Sequence, residues 1–387
     1  MQEKVIISGM GSISSMGSKA EQVWENYRSD KPRITNCCFN YCDTPVGKLY
    51  PTEKELLTKL RKENLHFRRL DNSVLLGILA ARQAVKQANW GNTENMSVNL
   101  GSSRGATQLF EKYHKKFVEN SSERLNPVVS PTTTLGNISS WVAYDLGSKG
   151  VSFSHSITCS TALHSILNAV AWIQAGMADK FITGGTEAPL SDFTIAQMRA
   201  LRIYSEEKGD FPSKPLEKDK TTNSLVLGEA AAVFCLEKEA GQKRLASIEG
   251  IGFSTELIEH NVSLSAEADC LQSSMEKALK SANLSQVDSI VMHAPGTLKG
   301  DQSEYKAIEA VFGKKIPHLI STKYTTGHTF GASGALSMEL AILMLQHNKL
   351  INFPYKSFPA GETKQVKYIM INATGFGGNA VSIILSK

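Results

Sequence analysis

The stretch VSFSHSITCSTALHSILNAVAWIQAG, residues 151–176, changes its period in the middle. Val151 and Phe153 alternate with Ser152 and Ser154, a pattern of period two that predicts a strand. Ala162, Ile166, Leu167, Val170 and Ile173 then recur at helical spacing, which predicts a helix. Cys159 stands at the junction, where the N–H groups and dipole of the coming helix favour a thiolate over a thiol. A cysteine there is either a nucleophile or an inert core residue, and this stretch alone leaves both open.

Working outward, VIISGMGSISSMG (residues 5–17) reads as a buried strand entering glycine turns, with a helix over residues 19–28 and a core helix over 72–89. Residues 97–103 read as a strand ending in Gly101-Ser102-Ser103-Arg104-Gly105, residues 130–134 as a polar loop, and residues 181–185 as another buried strand. The second half replays the first in the order of its strands and glycine turns. Residues 288–296 answer 97–105, Leu319-Ile320-Ser321-Thr322 with the following glycine loop and apolar helix answers the Cys159 segment, and 367–378 answers 181–185. Two βαβ-containing halves are expected, joined over the charged residues 237–243 and packed as one pseudo-symmetric body. His293 and His328 fall after apolar strands in this scheme, where catalysts collect in α/β folds. Near a thioester, two neutral imidazoles can donate N–H bonds to an enolate while a cysteine accepts an acyl group, without metal.

The composition sets bounds. The chain has 387 residues, 41% of them hydrophobic and 20% charged, with 29 glycines, as expected of a globular α/β protein. Met1-Gln2-Glu3-Lys4 and the short apolar run after it lack the form of a secretory signal, and no segment offers the roughly 20 apolar residues of a membrane span, so a cytoplasmic location is expected. A net charge of +5 without a basic block interleaved with aromatics gives no nucleic-acid face. Six scattered cysteines make no disulfide framework, and Cys37, Cys38 and Cys42 lack the pairing of a metal site, so they read as a surface loop and no metal is expected.

Six motifs in order identify the resemblance: VIISGMG with Trp24-Glu25-Asn26, Thr158-Cys159-Ser160, Val226-Leu227-Gly228-Glu229, residues 293–297, Ser321-Thr322-Lys323 with Gly327-His328, and Gly375-Phe376-Gly377-Gly378. Over nearly its full length the chain resembles a β-ketoacyl-[acyl-carrier-protein] synthase of the type I/II, thiolase-fold superfamily. The resemblance implies an α/β thiolase-like fold, with halves 1–240 and 241–387 forming a layered α-β-α-β-α body. It implies decarboxylative Claisen condensation of an acyl group on Cys159 with a malonyl-carrier protein, in fatty-acid or specialised polyene or polyketide elongation. Cys159, His293, His328 and Lys323 would be catalytic, the N–H groups of Cys159 and Phe376 the oxyanion hole, and Phe376 a gate. Thr297 would contact pantetheine, and Arg68, Arg69, Arg199 and Lys62 would dock an acidic acyl carrier protein. No cofactor of the chain's own is implied, because phosphopantetheine travels on the carrier.

Departures from the family pattern mark a divergent branch. Pro295 replaces a pantetheine-contacting threonine, and Ser337 stands where the family commonly has a glutamate paired with the lysine. Glu339 lies two positions on, rotated by about 200° on a helix, and cannot substitute. Asn379-Ala380 and Lys214-Pro215-Leu216-Glu217 also differ from the common forms. A thiolase needs a second cysteine near the C-terminus, whereas no cysteine follows Cys270; type III synthases carry asparagine in place of the second histidine. The rival from another class is a non-catalytic, chain-length-factor-like partner, which usually lacks the cysteine. Dimers, homomeric or with a related subunit, are expected through residues 141–153.

Overall fold

Strand Val5–Ser14 is buried along its whole length and is the seam of the structure, a computed structural model that describes residues 4–40, 42–122, 124–239, 244–257, 264–358 and 365–387. Met1, Gln2 and Glu3, and residues 240–243 of the expected join, lie outside the described residues. On one side Val5–Ser14 pairs antiparallel with Ala230–Lys238; on the other, Val5, Ile6 and Ile7 pair with Ile248, Ser247 and Ala246.

Among the described residues this seam unites ten strands into one sheet. Outward from Val5–Ser14 the order is Ala230–Lys238, Lys180–Glu187, Ser97–Gly101 and Ser152–Phe153. Outward from Ala246–Thr255 it is Asn379–Ser386, Tyr368–Gly375, Ser289–Val291 and His318–Ile320. Numbered by chain order within each half, both runs read 1-5-4-2-3, with antiparallel pairing at the first two steps and parallel pairing at the last two. The expected internal repeat is therefore present strand for strand.

The helices repeat as well. Asn72–Ala88 lies so close on Val5–Ser14 that a Cβ at Gly9 would stand 2.2 Å from the Ala84 carbonyl oxygen; a Cβ at Gly252 would likewise stand 1.9 Å from that of Ser274 on Asp269–Ala282. Between the two half-sheets lie Thr161–Gln174 and Ser333–His347, sharing one core with Phe181, Phe234, Ile371 and Ile383. Ser333–His347 is buried from Ser333 to Leu345, as a helix covered on all sides must be. Helix, sheet, helix, sheet and helix thus stack in the expected five layers.

Two local expectations fail. Cys37, Cys38 and Cys42 belong to a hairpin, Thr35–Phe39 against Cys42–Gly47, whose second strand is held by Leu227–Gly228, and not to a loose loop. Val46 within the hairpin and Leu49 just after it are buried. The polar run near Ser130 is a short helix, Val129–Thr133: Thr132, Thr133 and Thr134 donate their hydroxyls to carbonyls four residues back, and Pro131 falls in the first turn, where no N–H is needed.

Candidate active site

The Cys159 elbow is a turn drawn tight by one hydroxyl. Thr161 Oγ1 accepts the Ile157 N–H at 2.8 Å and donates to the Thr158 carbonyl at 2.5 Å, and Thr158 is held at φ +45. A β-branched residue in that region is strained by about 1–3 kcal/mol, which the packing of Thr161–Gln174 must offset. The turn sets Cys159 just ahead of the helix, as the change of period predicts.

Its electrostatics differ from the expectation. Cys159 is 5% exposed, and burial pushes its thiol up to about 12 although Lys323 and Arg104 pull the other way. Desolvation outweighs these cations, so the resting group is a thiol.

His293 follows Ser289–Val291, and its main chain is fixed from both sides. Glu304, on helix Leu298–Phe312, accepts the His293 N–H at 2.9 Å and the Ala294 N–H at 2.7 Å, while Lys323 Nζ donates to the His293 carbonyl. His328 is pinned to the other half, its N–H donating to the Val226 carbonyl at 2.6 Å and its carbonyl accepting the Gly228 N–H at 3.0 Å. The two rings meet edge to face with centroids 5.4 Å apart. Burial, with the positive charge of Lys323, holds both imidazoles well below the usual histidine range, so both are neutral at pH 7. The Phe330 N–H donates to His328 Nδ1 at 3.2 Å, which assigns the proton of the neutral ring to Nε2.

Lys323 is 1% exposed; burial lowers it and Glu304 raises it. Glu304 is the residue that sequence reasoning missed. Its position in Leu298–Phe312 gives no sign that it reaches His293, and its charge also acts on Lys323 without an ion-pair contact among the described residues. Glu339 does point elsewhere, accepting from the Ser12 hydroxyl, and Ser337 Oγ is buried without a partner among the described residues.

The remaining expected residues divide. The Phe376 carbonyl accepts from Thr158 Oγ1 at 3.2 Å, and a Cβ on Gly375 would lie 3.1 Å from the Cys159 nitrogen, so this loop abuts the elbow. Thr297 caps Leu298–Phe312, its hydroxyl accepting the Gly300 N–H at 3.2 Å, and Pro295 packs beside Gly300. Lys62, Arg68 and Arg69 are exposed at one corner, but Arg199 is half-buried and donates to Thr44 Oγ1 at 2.6 Å. Within residues 141–153, Tyr144 and Val151 are exposed, whereas Phe153 turns inward on Trp172 and Phe181. Among the described residues no group of His, Cys, Asp and Glu is placed to hold a metal ion, and no helix is long and apolar enough to cross a membrane.

Comparison with known proteins matches residues 2–241 to the family Beta-ketoacyl synthase, N-terminal domain, and residues 245–354 to Beta-ketoacyl synthase, C-terminal domain. The 3-oxoacyl-[acyl-carrier-protein] synthase 2 of Staphylococcus aureus (strain COL) is 30% identical over 416 residues, covering 100% of this chain and 98% of that protein. Among solved structures, the ishigamide ketosynthase/chain length factor superposes with a TM-score of 0.87 at 20% identity, covering 100% of both chains. A type II PKS acyl-carrier protein in complex with its ketosynthase superposes with a TM-score of 0.86 at 19% identity, again over 100% of both chains.

Proposed function

The chain belongs to the beta-ketoacyl synthase family, and from that premise we propose that it is a 3-oxoacyl-[acyl-carrier-protein] synthase acting through Cys159, His293, His328 and Lys323. The observation that supports the assignment of residues is that Lys323, buried on the His293 carbonyl beside the His293–His328 ring pair, also lies within the electrostatic reach of the buried Cys159.

In the first half-reaction the Cys159 sulfur attacks the thioester carbon of an acyl-carrier protein. The new C–S bond forms as the old one breaks, and the thiol proton leaves on the carrier's pantetheine sulfur. The N–H groups of Cys159 and Phe376 receive the oxyanion, in keeping with the contact between their loops. In the second, malonyl-carrier protein loses CO2 and the enolate oxygen accepts the Nε2–H of His328 and an N–H of His293. The enolate carbon bonds to the acyl carbon, the C–S bond to Cys159 breaks, and the sulfur takes up a proton. Lys323 positions His293 through its carbonyl. Thr297, whose oxygen accepts from Gly300, keeps its own proton to donate to the pantetheine arm. Lys62, Arg68 and Arg69, which are exposed, and the half-buried Arg199, which also donates to Thr44, supply the carrier-docking rim.

We take the chain as two halves, 1–240 and 241–387, acting in the cytoplasm as a dimer with a second synthase-type chain, and needing no cofactor beyond the carrier's phosphopantetheine. Strand Ser152–Phe153 ends the sheet, and Val151, Phe110, Phe117 and Phe193 are exposed, an apolar surface of the kind that subunits cover. The test is intact-mass measurement after mixing the protein with hexanoyl-carrier protein and then malonyl-carrier protein. An acyl adduct on Cys159, discharged as a 3-oxoacyl-carrier protein, is expected; absence of the adduct refutes the assignment.

A further inference from the structure

Arg104 reaches the neighbourhood of the nucleophile from a loop that gives no sign of it in sequence. Glu187, fully buried, clamps that loop: it accepts the Ser103 N–H at 2.7 Å, the Arg104 N–H at 3.0 Å and the Ser102 hydroxyl at 2.8 Å, and also the Gly331 N–H at 3.0 Å. The clamp ties residues 102–104 to the turn that carries Phe330. The Arg104 guanidinium consequently lies over the Phe330 ring, 5.0 Å from its centroid, and donates to Gln197 Oε1 at 2.8 Å. Gln197 stands between Ile195 and Met198 on helix Asp192–Ala200, and those two residues share a buried cluster with Cys159 and Phe330. On its other side Arg104 lines a cleft of about 170 Å³ with Ala106, Phe110, Thr133 and Phe193.

The guanidinium is half-buried and lightly paired. It has five N–H donors, of which one side-chain bond is used among the described residues, to a neutral amide. It has no carboxylate ion pair there: both Glu187 oxygens are occupied by backbone N–H groups and a hydroxyl, and Glu111, which lines the same cleft, accepts from Ser191. Its field reaches the Cys159 sulfur, where it favours the thiolate.

A saturated acyl chain laid from Cys159 past Ile195, Met198 and Phe330 would strip water from this cation and return no acceptor, which is costly. A chain with an oxygen acceptor would make a charge-assisted hydrogen bond there. Resting on the condensing function proposed above, we infer that Arg104 selects the acyl group carried by Cys159, favouring chains whose distal part bears a keto or carboxylate oxygen over plain alkyl chains. Ile195, Met198 and Phe330 line the near, apolar part of the path, and Arg104 with Gln197 forms its polar end.

The experiment measures the rate of Cys159 acylation by intact mass with three six-carbon thioesters of N-acetylcysteamine: hexanoyl, 5-oxohexanoyl and adipoyl. The unmodified protein should take an oxygenated chain faster than hexanoyl by about tenfold, the value of one charged hydrogen bond. Preference for 5-oxohexanoyl identifies a keto chain and preference for adipoyl a carboxylate; either supports the inference. Arg104→Leu should reverse the order, taking hexanoyl faster than the parent does, and Arg104→Lys should keep part of the preference. Equal rates for the three thioesters in the unmodified protein, or a faster hexanoyl reaction, overturn the inference while leaving the condensing function intact. No adduct from any of the three overturns both. The decisive comparison is made in the unmodified protein, so it holds even if Arg104→Leu does not fold.

Discussion

Replacing Glu304 by glutamine tests whether the second half-reaction depends on how the His293 main chain is held. Glu304 Oε1 accepts the His293 N–H at 2.9 Å and Asn372 Nδ2 at 3.2 Å, while Oε2 accepts the Ala294 N–H at 2.7 Å, so both oxygens receive backbone donors. Glutamine offers one oxygen. Whichever way its amide is turned, an NH2 faces a buried N–H. Losing one acceptor bond costs about 0.5–1.5 kcal/mol and stranding a buried donor about 1–3 kcal/mol. A net loss of about 3 kcal/mol lowers the unfolding midpoint of a chain this long by roughly 5 °C. Burial outweighs the Ala294 and His293 N–H groups and raises the Glu304 carboxyl from 4.5 to about 7, so the folded parent holds a proton there that the unfolded chain releases, and its margin over E304Q is greatest near pH 5 and falls as pH rises through about 7.

The functional consequence is selective. A displaced His293 spoils enolate stabilisation, where misplacement by about 1 Å costs on the order of 100-fold. The Cys159 elbow takes its geometry from Thr161 and should be spared. E304Q is thus expected to release CO2 from malonyl-carrier protein at least about tenfold more slowly, with hexanoyl transfer to Cys159 within about twofold of the parent. Intact mass follows acylation and a coupled CO2 assay follows decarboxylation. Equal losses in both halves, or an unchanged midpoint at pH 5, would refute the reasoning.

Two further outcomes follow from buried ionisable groups. With its thiol pushed up to about 12 by burial, Cys159 should react with iodoacetamide about tenfold faster per pH unit through pH 9, as thiolate fraction dictates; a plateau near pH 7 would show that the helix terminus wins after all. Glu339 is pushed by burial from 4.5 to about 7, with only the Ser12 hydroxyl opposing, so the folded state holds a proton that the unfolded chain releases. Its contribution is full below about 4.5 and is lost as pH rises through about 7, worth on the order of 2–3 kcal/mol. Glu339→Gln keeps an acceptor for Ser12 and cannot ionise, so its midpoint should exceed the parent's at pH 8 and converge with it at pH 5; a lower midpoint at pH 8 would count against a buried, poorly compensated carboxylate.

What the sequence made legible were features written in period and order. The switch from alternation to helical spacing around Cys159, and the recurrence of strands and glycine turns, lead to the elbow and to matching half-sheets, because burial on one face must repeat at 2.0 or 3.6 residues. The hairpin at Cys37 escaped because its first strand is largely exposed and its second is exposed at Cys42 and Asp43 and buried from Thr44 on, so neither strand alternates cleanly. The helix at Val129–Thr133 escaped because serine, threonine and proline ordinarily favour turns, and only the hydroxyl-to-carbonyl bonds make them helical here.

Glu304 and Arg104 were hidden for a different reason. Each is a charged residue whose partners lie in other segments of the chain, and each acquires its role from what the fold sets opposite it: two backbone N–H groups in one case, an aromatic face and a glutamine in the other. The thiol of Cys159 obeys the same logic, since its place in the chain determines the sign of the helix contribution, and the desolvation that overrides it arises only when the two halves close around it. In a duplicated fold with its site between the halves, position along the chain determines which residues arrive at the site, and the opposing half determines their charge state and partners. The elbow, held by local bonds from Thr161, was accordingly readable in sequence, while the support of the histidines was legible only in part: the resemblance pointed to Lys323, and Glu304, which reaches the His293 main chain from a separate helix, was not legible.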